Sequence, residues 1–268
     1  AGVNGSGKHN NWSLGTDTGV NLFAPGKNPK GNMVFLTFLT NVMAAVYKGQ
    51  DLLRSSILNS TNMHRLGANE APPAIVSIFL GTQISSMLDS IVEKVSDAKM
   101  TPEEKTALKL GVGRLPEILI DNTDRNRTSP FAFTGDRFEF RAVGSSANCA
   151  GAMTVLNSMV AAQLVEFKKN VDALIEKGVK KDEAIFQEIR KLIIESAPVH
   201  FDGNGYSEEW KAEAARRGLT NITSVPESIS KMTTDHAKSV LIGQGILTER
   251  ELEARAEVEY EKYTKKIQ

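Results

Sequence analysis

The chain has 268 residues, and its 32 lysines plus arginines balance 32 aspartates plus glutamates. A net charge of zero excludes a whole-molecule field that would draw it to nucleic acid or to an anionic membrane, so basic character must act locally, on a small anion. The length supports one large domain or two smaller ones, each with its own core. A single cysteine, Cys149, excludes an intrachain disulfide and agrees with a reducing, cytoplasmic setting.

The chain opens AGVNGSGKH, without a methionine and directly in a motif, which leads us to expect a piece of a longer polypeptide. No stretch reads as a signal peptide, and no uninterrupted apolar run reads as a membrane span. Residues 1–30 are rich in Gly, Asn and Thr and predict turns and short strands. Gly2 to Lys8 fits the spacing of a phosphate-binding loop, but His9 stands where that loop needs Ser or Thr to reach magnesium. No hydrophobic strand precedes it, so the phosphate-loop reading fails. His9 is a candidate metal ligand through a neutral ring nitrogen, or an ordinary surface group.

From Asn32 the apolar spacing of Met33, Val34, Leu36, Phe38, Leu39, Val42, Met43 and Val46 predicts a helix, with a shorter one over Asp51–Leu58. Residues 62–74, NMHRLGANEAPPA, read as a constrained loop that brings Arg65 and Glu70 together. A long helix is predicted over 74–97, and Thr101–Glu104 has the form of a capping box.

The stretch 121–148 carries Arg125, Arg127, Arg137 and Arg141 around Glu139. In Arg137-Phe138-Glu139-Phe140-Arg141 a strand turns both phenylalanines one way and the three charges the other. The ionic face needs charged partners if it is covered. It is either a salt-bridged solvent face or a group of guanidiniums and a carboxylate around a polyphosphate and a divalent metal. The preceding FAFTG reads as a second strand and its turn.

Beyond residue 150 the pattern is helical: a seam from Met153 to Leu174 ending near Gly178, then helices over 181–196, 207–217, 226–242 and 249–266. The last opens with a capping box, Thr248–Glu251. Phe201-Asp202-Gly-Asn-Gly-Tyr206-Ser207 looks like the middle of a calcium loop, but its register puts His200 first and Lys211 twelfth, where a bidentate glutamate belongs. We read it as a glycine turn before a helix capped by Ser207.

Asn4-Gly5-Ser6-Gly7-Lys8-His9, followed four residues on by Ser13, resembles the nucleotide-region signature of glutamine synthetases. Arg65-Leu-Gly-Ala-Asn-Glu70-Ala-Pro72 resembles that family's active-site flap. Asn126-Arg127 and Arg137–Arg141 resemble its arginine cluster and metal-binding strand. Four elements in this order cover roughly residues 1–150. The phrasing NTDRNRTSPFAFTG and the extension with FDGNGYSEEW look most like the large, type III class. The resemblance implies an α+β fold: the distal half of the catalytic domain over 1–150, with antiparallel strands packed on helices, and a helical C-terminal region over 151–268.

It also implies an ATP-dependent ligase that forms glutamine from glutamate and ammonium through a γ-glutamyl phosphate. By the same resemblance His9 and Glu139 would be ligands of a Mg2+ or Mn2+ ion at the nucleotide. Arg127 would face the transferred phosphoryl group and Arg137 the nucleotide phosphates, with Ser13 beside the nucleotide. Arg65 and Arg141 would hold glutamate, with Asn4 and Gly5 near its amino-acid end. Glu70 would close over the acyl phosphate and take a proton from ammonium. A homo-oligomeric ring, a dodecamer, with active sites at subunit interfaces is implied as well.

The sequence departs from the common bacterial pattern in having Asn11 in place of a second histidine and Phe131-Ala132-Phe133 in place of a further arginine, a role left to Arg125. Its flap is slightly shorter than usual. The family's other metal-binding glutamates are expected upstream of Ala1, so the chain alone is expected neither to bind metal tightly nor to turn over. Two other readings remain: an ATP:guanidino phosphotransferase of related fold, and a helical assembly module without catalysis.

Overall fold

A computed structural model describes residues 7–25, 29–67, 72–93 and 128–268. Its centre is a small sheet of four strands, β1 (Asn10–Trp12), β2 (Ile78–Phe79), β3 (Phe131–Phe133) and β4 (Phe138–Phe140), in the order β1-β4-β3-β2. The β1–β4 and β3–β4 pairs are antiparallel, as expected, but β2 joins β3 in parallel, so the sheet is mixed. The predicted β3–turn–β4 hairpin is present.

Register fixes the two faces. Trp12 pairs with Phe138, and Phe131 and Phe133 pair with Phe140 and Phe138, so one face is a continuous aromatic surface. Phe131 stacks on Phe138 with centroids 4.5 Å apart, and Phe23 meets Phe138 edge-on at 5.2 Å. Such offset and edge contacts add specificity to the burial of apolar area. On the other face, Asn11 pairs with Glu139.

Helices cover the rest: α1 (Pro29–Lys48), α2 (Gln50–Ser55), α3 (Thr82–Glu93), α4 (Ala150–Glu176), α5 (Lys181–Ser196), α6 (Glu208–Arg216), α7 (Val225–Ser230), α8 (Asp235–Leu241) and α9 (Glu249–Ile267). The apolar stripe of α1 packs against α4 and α5. One apolar cluster runs from Trp12 through α1, the sheet and α4 to Leu252, drawing on residues before and after position 150 alike. Ser207 caps α6 by accepting from the Trp210 N–H, and Thr248 and Glu251 form both bonds of the capping box of α9.

Two predicted helices are corrected. Residues 74–81 are not helical: Ile75, Val76, Ile78, Phe79 and Leu80 form an extended run buried on both sides, in which β2 lies. A continuous apolar run looks alike as buried strand or buried helix, and pairing with β3 decides it. Helix α3 starts only at Thr82, after Gly81 at φ +84°, a conformation that suits glycine. The second, over 226–242, is two helices, because Thr234 takes an extended conformation and its side chain caps α8 by accepting from the Ala237 N–H. The expected capping box at 101–104 lies outside the described residues.

Helix α4 is the one described helix long and apolar enough to cross a membrane by length and mean hydropathy. Here Val155, Leu156, Met159 and Val160 belong to the core, and Asn157 accepts from the Trp12 indole N–H at 2.8 Å. It is a core helix that ties itself to β1.

Candidate functional site

The polar face of the sheet gathers residues from three segments. Antiparallel pairing of β1 with β4 puts Asn11 opposite Glu139, with His9 just before β1 and Arg141 just after β4. His9 Nδ1 lies 3.0 Å from Glu139 Oε1. Glu139 Oε2 lies 3.8 Å from Arg141 Nη1, an ion pair rather than a hydrogen bond. The histidine is half exposed and the glutamate largely covered, so the pair sits at the surface rather than inside the core. Residues 130 positions apart in sequence thus share one spot.

Behind this pair the guanidinium of Arg141 is buried, 3 % exposed as a residue, and its Nη2 donates to the Ser129 carbonyl at 2.6 Å. Buried charge of this kind survives only with partners, and Glu139 and the Ser129 carbonyl supply two. Arg65 reaches over from the loop after α2, and its Nε donates to the Arg141 carbonyl at 2.6 Å. Burial lowers the Arg65 pKa from its ordinary value, while the nearby Tyr206 phenol pulls the other way.

Gly7, the last glycine of the opening motif, acquires a reason. Gly7 makes an isolated bridge with Gly144, and a Cβ on Gly7 would stand 2.1 Å from Arg65 Nε. Only glycine leaves room for that side chain. Lys8, the lysine of the discarded phosphate-loop pattern, donates its backbone N–H to Val143 and its Nζ to the Ala147 carbonyl. It is a strut between the motif and the turn before α4.

Ser13 is exposed just past β1. Arg137 leads into β4, half exposed, with its guanidinium 3.7 Å from Asp136. Alternation gives both the parity of His9 and Glu139. Asn4, Gly5, Glu70, Arg127 and Arg125 lie outside the described residues. The Gly67 N–H donates to the Pro72 carbonyl at 2.7 Å.

One imidazole nitrogen and one carboxylate oxygen are suitable donors for a divalent cation. Two donors each about 2.1 Å from one ion and at right angles are about 3.0 Å apart. The His9–Glu139 pair therefore fits two adjacent corners of a coordination shell. Among the described residues no group of three metal-ligating side chains forms, so further ligands of such an ion would have to come from elsewhere.

Sequence reasoning missed a second polar cluster. Asp202, in the rejected calcium-like loop, accepts from the Leu80 N–H at 2.8 Å and the Gly81 N–H at 3.3 Å. Its other oxygen accepts from Ser85 Oγ at 2.6 Å and lies 3.0 Å from His200 Nε2. Burial would raise its pKa, but the bonds from His200, Ser85 and Leu80 outweigh that and hold it at about 2. The aspartate thus closes the start of α3, a role that no local pattern could announce because Leu80, Gly81 and Ser85 are more than 100 residues away.

Residues 184–268 match the glutamine synthetase C-terminal domain. Along its whole length the chain is 68% identical over 267 residues to a glutamine synthetase of Bacteroides fragilis. It is 44% identical over 268 residues to a type-3 glutamine synthetase of Dictyostelium discoideum, and 40% identical over 278 to a glutamine synthetase of Butyrivibrio fibrisolvens. The chain spans 36–37% of the length of these relatives.

Proposed function

We propose that this chain, which belongs by sequence to the glutamine synthetase family, forms part of an ATP-dependent ligase. That ligase joins ammonium to the γ-carboxylate of glutamate through a γ-glutamyl phosphate. The observation that carries the reading is the meeting of His9 Nδ1 and Glu139 Oε1 at 3.0 Å, with Arg141 beside the carboxylate. A bound Mg2+ or Mn2+ would supply charge neutralisation and a template for the nucleotide phosphates.

The chain's own residues would then act mainly by position and charge. His9 and Glu139 would present two donors to that ion. Arg137 would face the ATP phosphates and Arg127 the transferred phosphoryl group, since such transfer demands positioning and charge stabilisation more than covalent help. Arg65 and Arg141 would orient glutamate, with Asn4 and the Gly5 backbone at its amino-acid end, and Ser13 beside the nucleotide. Glu70 would shut out water and take a proton from ammonium. The other ligands, and the ring assembly with active sites between subunits, are proposed to come from the remainder of the polypeptide and from neighbouring copies.

The deciding measurement is Glu139→Ala in the complete enzyme. Glutamine formation should fall by about a hundredfold or more while assembly persists. Unchanged turnover would leave only the assembly role for this chain.

A further inference from the structure

A line of hydrogen bonds, buried at Ser77, Ser129 and Arg141, connects the candidate metal pair with the C-terminal region. Arg141, which flanks Glu139, is held by the Ser129 carbonyl at 2.6 Å. The Ser129 hydroxyl donates to the Phe201 carbonyl at 2.8 Å and accepts from Ser77 Oγ at 2.8 Å. The Phe201 N–H donates to the Ile78 carbonyl at 2.8 Å, and His200 bridges Ile78 in parallel, so residues 200–201 continue the sheet beyond β2. Asp202 then fastens this added segment to Leu80, Gly81 and Ser85. Ser77, Ser129 and Arg141 are 0 %, 2 % and 3 % exposed. Water therefore does not replace a bond lost here.

We propose that Ser129 is a positioning residue for the metal-binding pair, through which the segment His200–Asp202 of the C-terminal region fixes Arg141 and so the carboxylate of Glu139. This rests on the ligase reading, since it assigns to Glu139 the cation that reading places there. The Ser129 carbonyl is the acceptor that aims the Arg141 fork. Its hydroxyl ties that same residue to the Phe201 carbonyl of the C-terminal region, while Ser77 only donates to that hydroxyl from β2's side. Without the tie the carbonyl is free to shift, the guanidinium follows, and Glu139 loses its fixed neighbour. Outer-shell partners of this kind commonly change metal affinity by about 10–100-fold.

The test uses the complete enzyme and Mn2+ alone, with the dissociation constant read by electron paramagnetic resonance of the free ion, and separately the KM and kcat of glutamine formation. Ser129→Ala should raise the Mn2+ dissociation constant about tenfold or more. Ser77→Ala is the matched control. It deletes one buried hydroxyl bond yet leaves the Ser129–Phe201 bond in place, so it should lower thermal stability comparably and leave Mn2+ affinity as it was. If both variants shift the affinity equally, general loosening explains the effect and the proposal falls. If Ser129→Ala binds Mn2+ as the parent does while Glu139→Gln loses it, the positioning role is wrong and the ligase reading stands. If Glu139→Gln also binds normally, the ligase reading itself is lost. Should Ser129→Ala not fold, Asp202→Asn loosens the same segment from its outer side and should weaken Mn2+ binding in the same direction; unchanged affinity there overturns the proposal.

Discussion

Gly7 lies directly beneath the side chain of Arg65, so close that a single added methyl would stand 2.1 Å from Nε. Arg65 cannot step aside freely, because that same Nε is bonded to the Arg141 carbonyl. Gly7→Ala should therefore displace Arg65 and break that bond. On the proposed ligase function, the KM for glutamate of the complete enzyme should rise by roughly a hundredfold, the loss that misplacement by about 1 Å can cause. A KM for glutamate within a factor of two of the parent would show that Arg65 does not orient that substrate.

Asp202 sets an acid limit on stability. Its folded pKa, about 2, lies below its ordinary 3.8, so the unfolded chain binds the proton more readily. The stabilisation is fully present above about pH 4 and is lost as pH falls through about 2. Its size is on the order of 1–2 kcal/mol after allowance for a side chain still partly open to water. Asp202→Asn should lower the melting temperature near neutral pH, and the gap from the parent should close between pH 4 and pH 2. A gap that stays constant over that range contradicts the assignment.

The aromatic face of the sheet has its keystone at Phe138, in ring contact with Trp12, Phe23, Phe131 and Phe133. Phe138→Ala should destabilise by about 3–5 kcal/mol, since rings on four sides cannot collapse into the space. Phe138→Leu should cost markedly less. Denaturant melts giving equal losses for the two would mean the ring contacts do not specify the packing.

Arg54 on α2 is a buried cation in an apolar setting. Its Nε donates to the Ile222 carbonyl at 2.9 Å, but among the described residues Nη1 and Nη2 meet no acceptor. Burial pulls its pKa down to about 10. An uncompensated buried charge costs several kcal/mol, more than the single bond to Ile222 returns. Arg54→Met should raise stability by about 1–3 kcal/mol, seen as a higher melting temperature. A clear drop would show that the guanidinium holds a partner essential to the fold.

Much of the chain's organisation can be read from the residues alone. The alternation at 137–141 gives one aromatic and one ionic strand face, because a strand sends neighbours to opposite sides whatever surrounds it. The helices over 181–196 and after Ser207 and Thr248 follow from local periodicity and caps, which are short-range bonds. The motif NGSGKH and the ionic strand were legible as two separate signals. What only the tertiary structure decided is everything that depends on distant pairing. The register of β1 on β4 brings His9 to Glu139, β3 turns the apolar run at 78–79 into strand rather than helix, and Arg65 gives Gly7 its purpose. Ser129 carries no local mark, and Asp202 shows only as part of a glycine turn beside its near partner His200. Their other partners lie 12 to 122 residues away, and a hydrogen bond across such a span exists only once the chain has closed on itself.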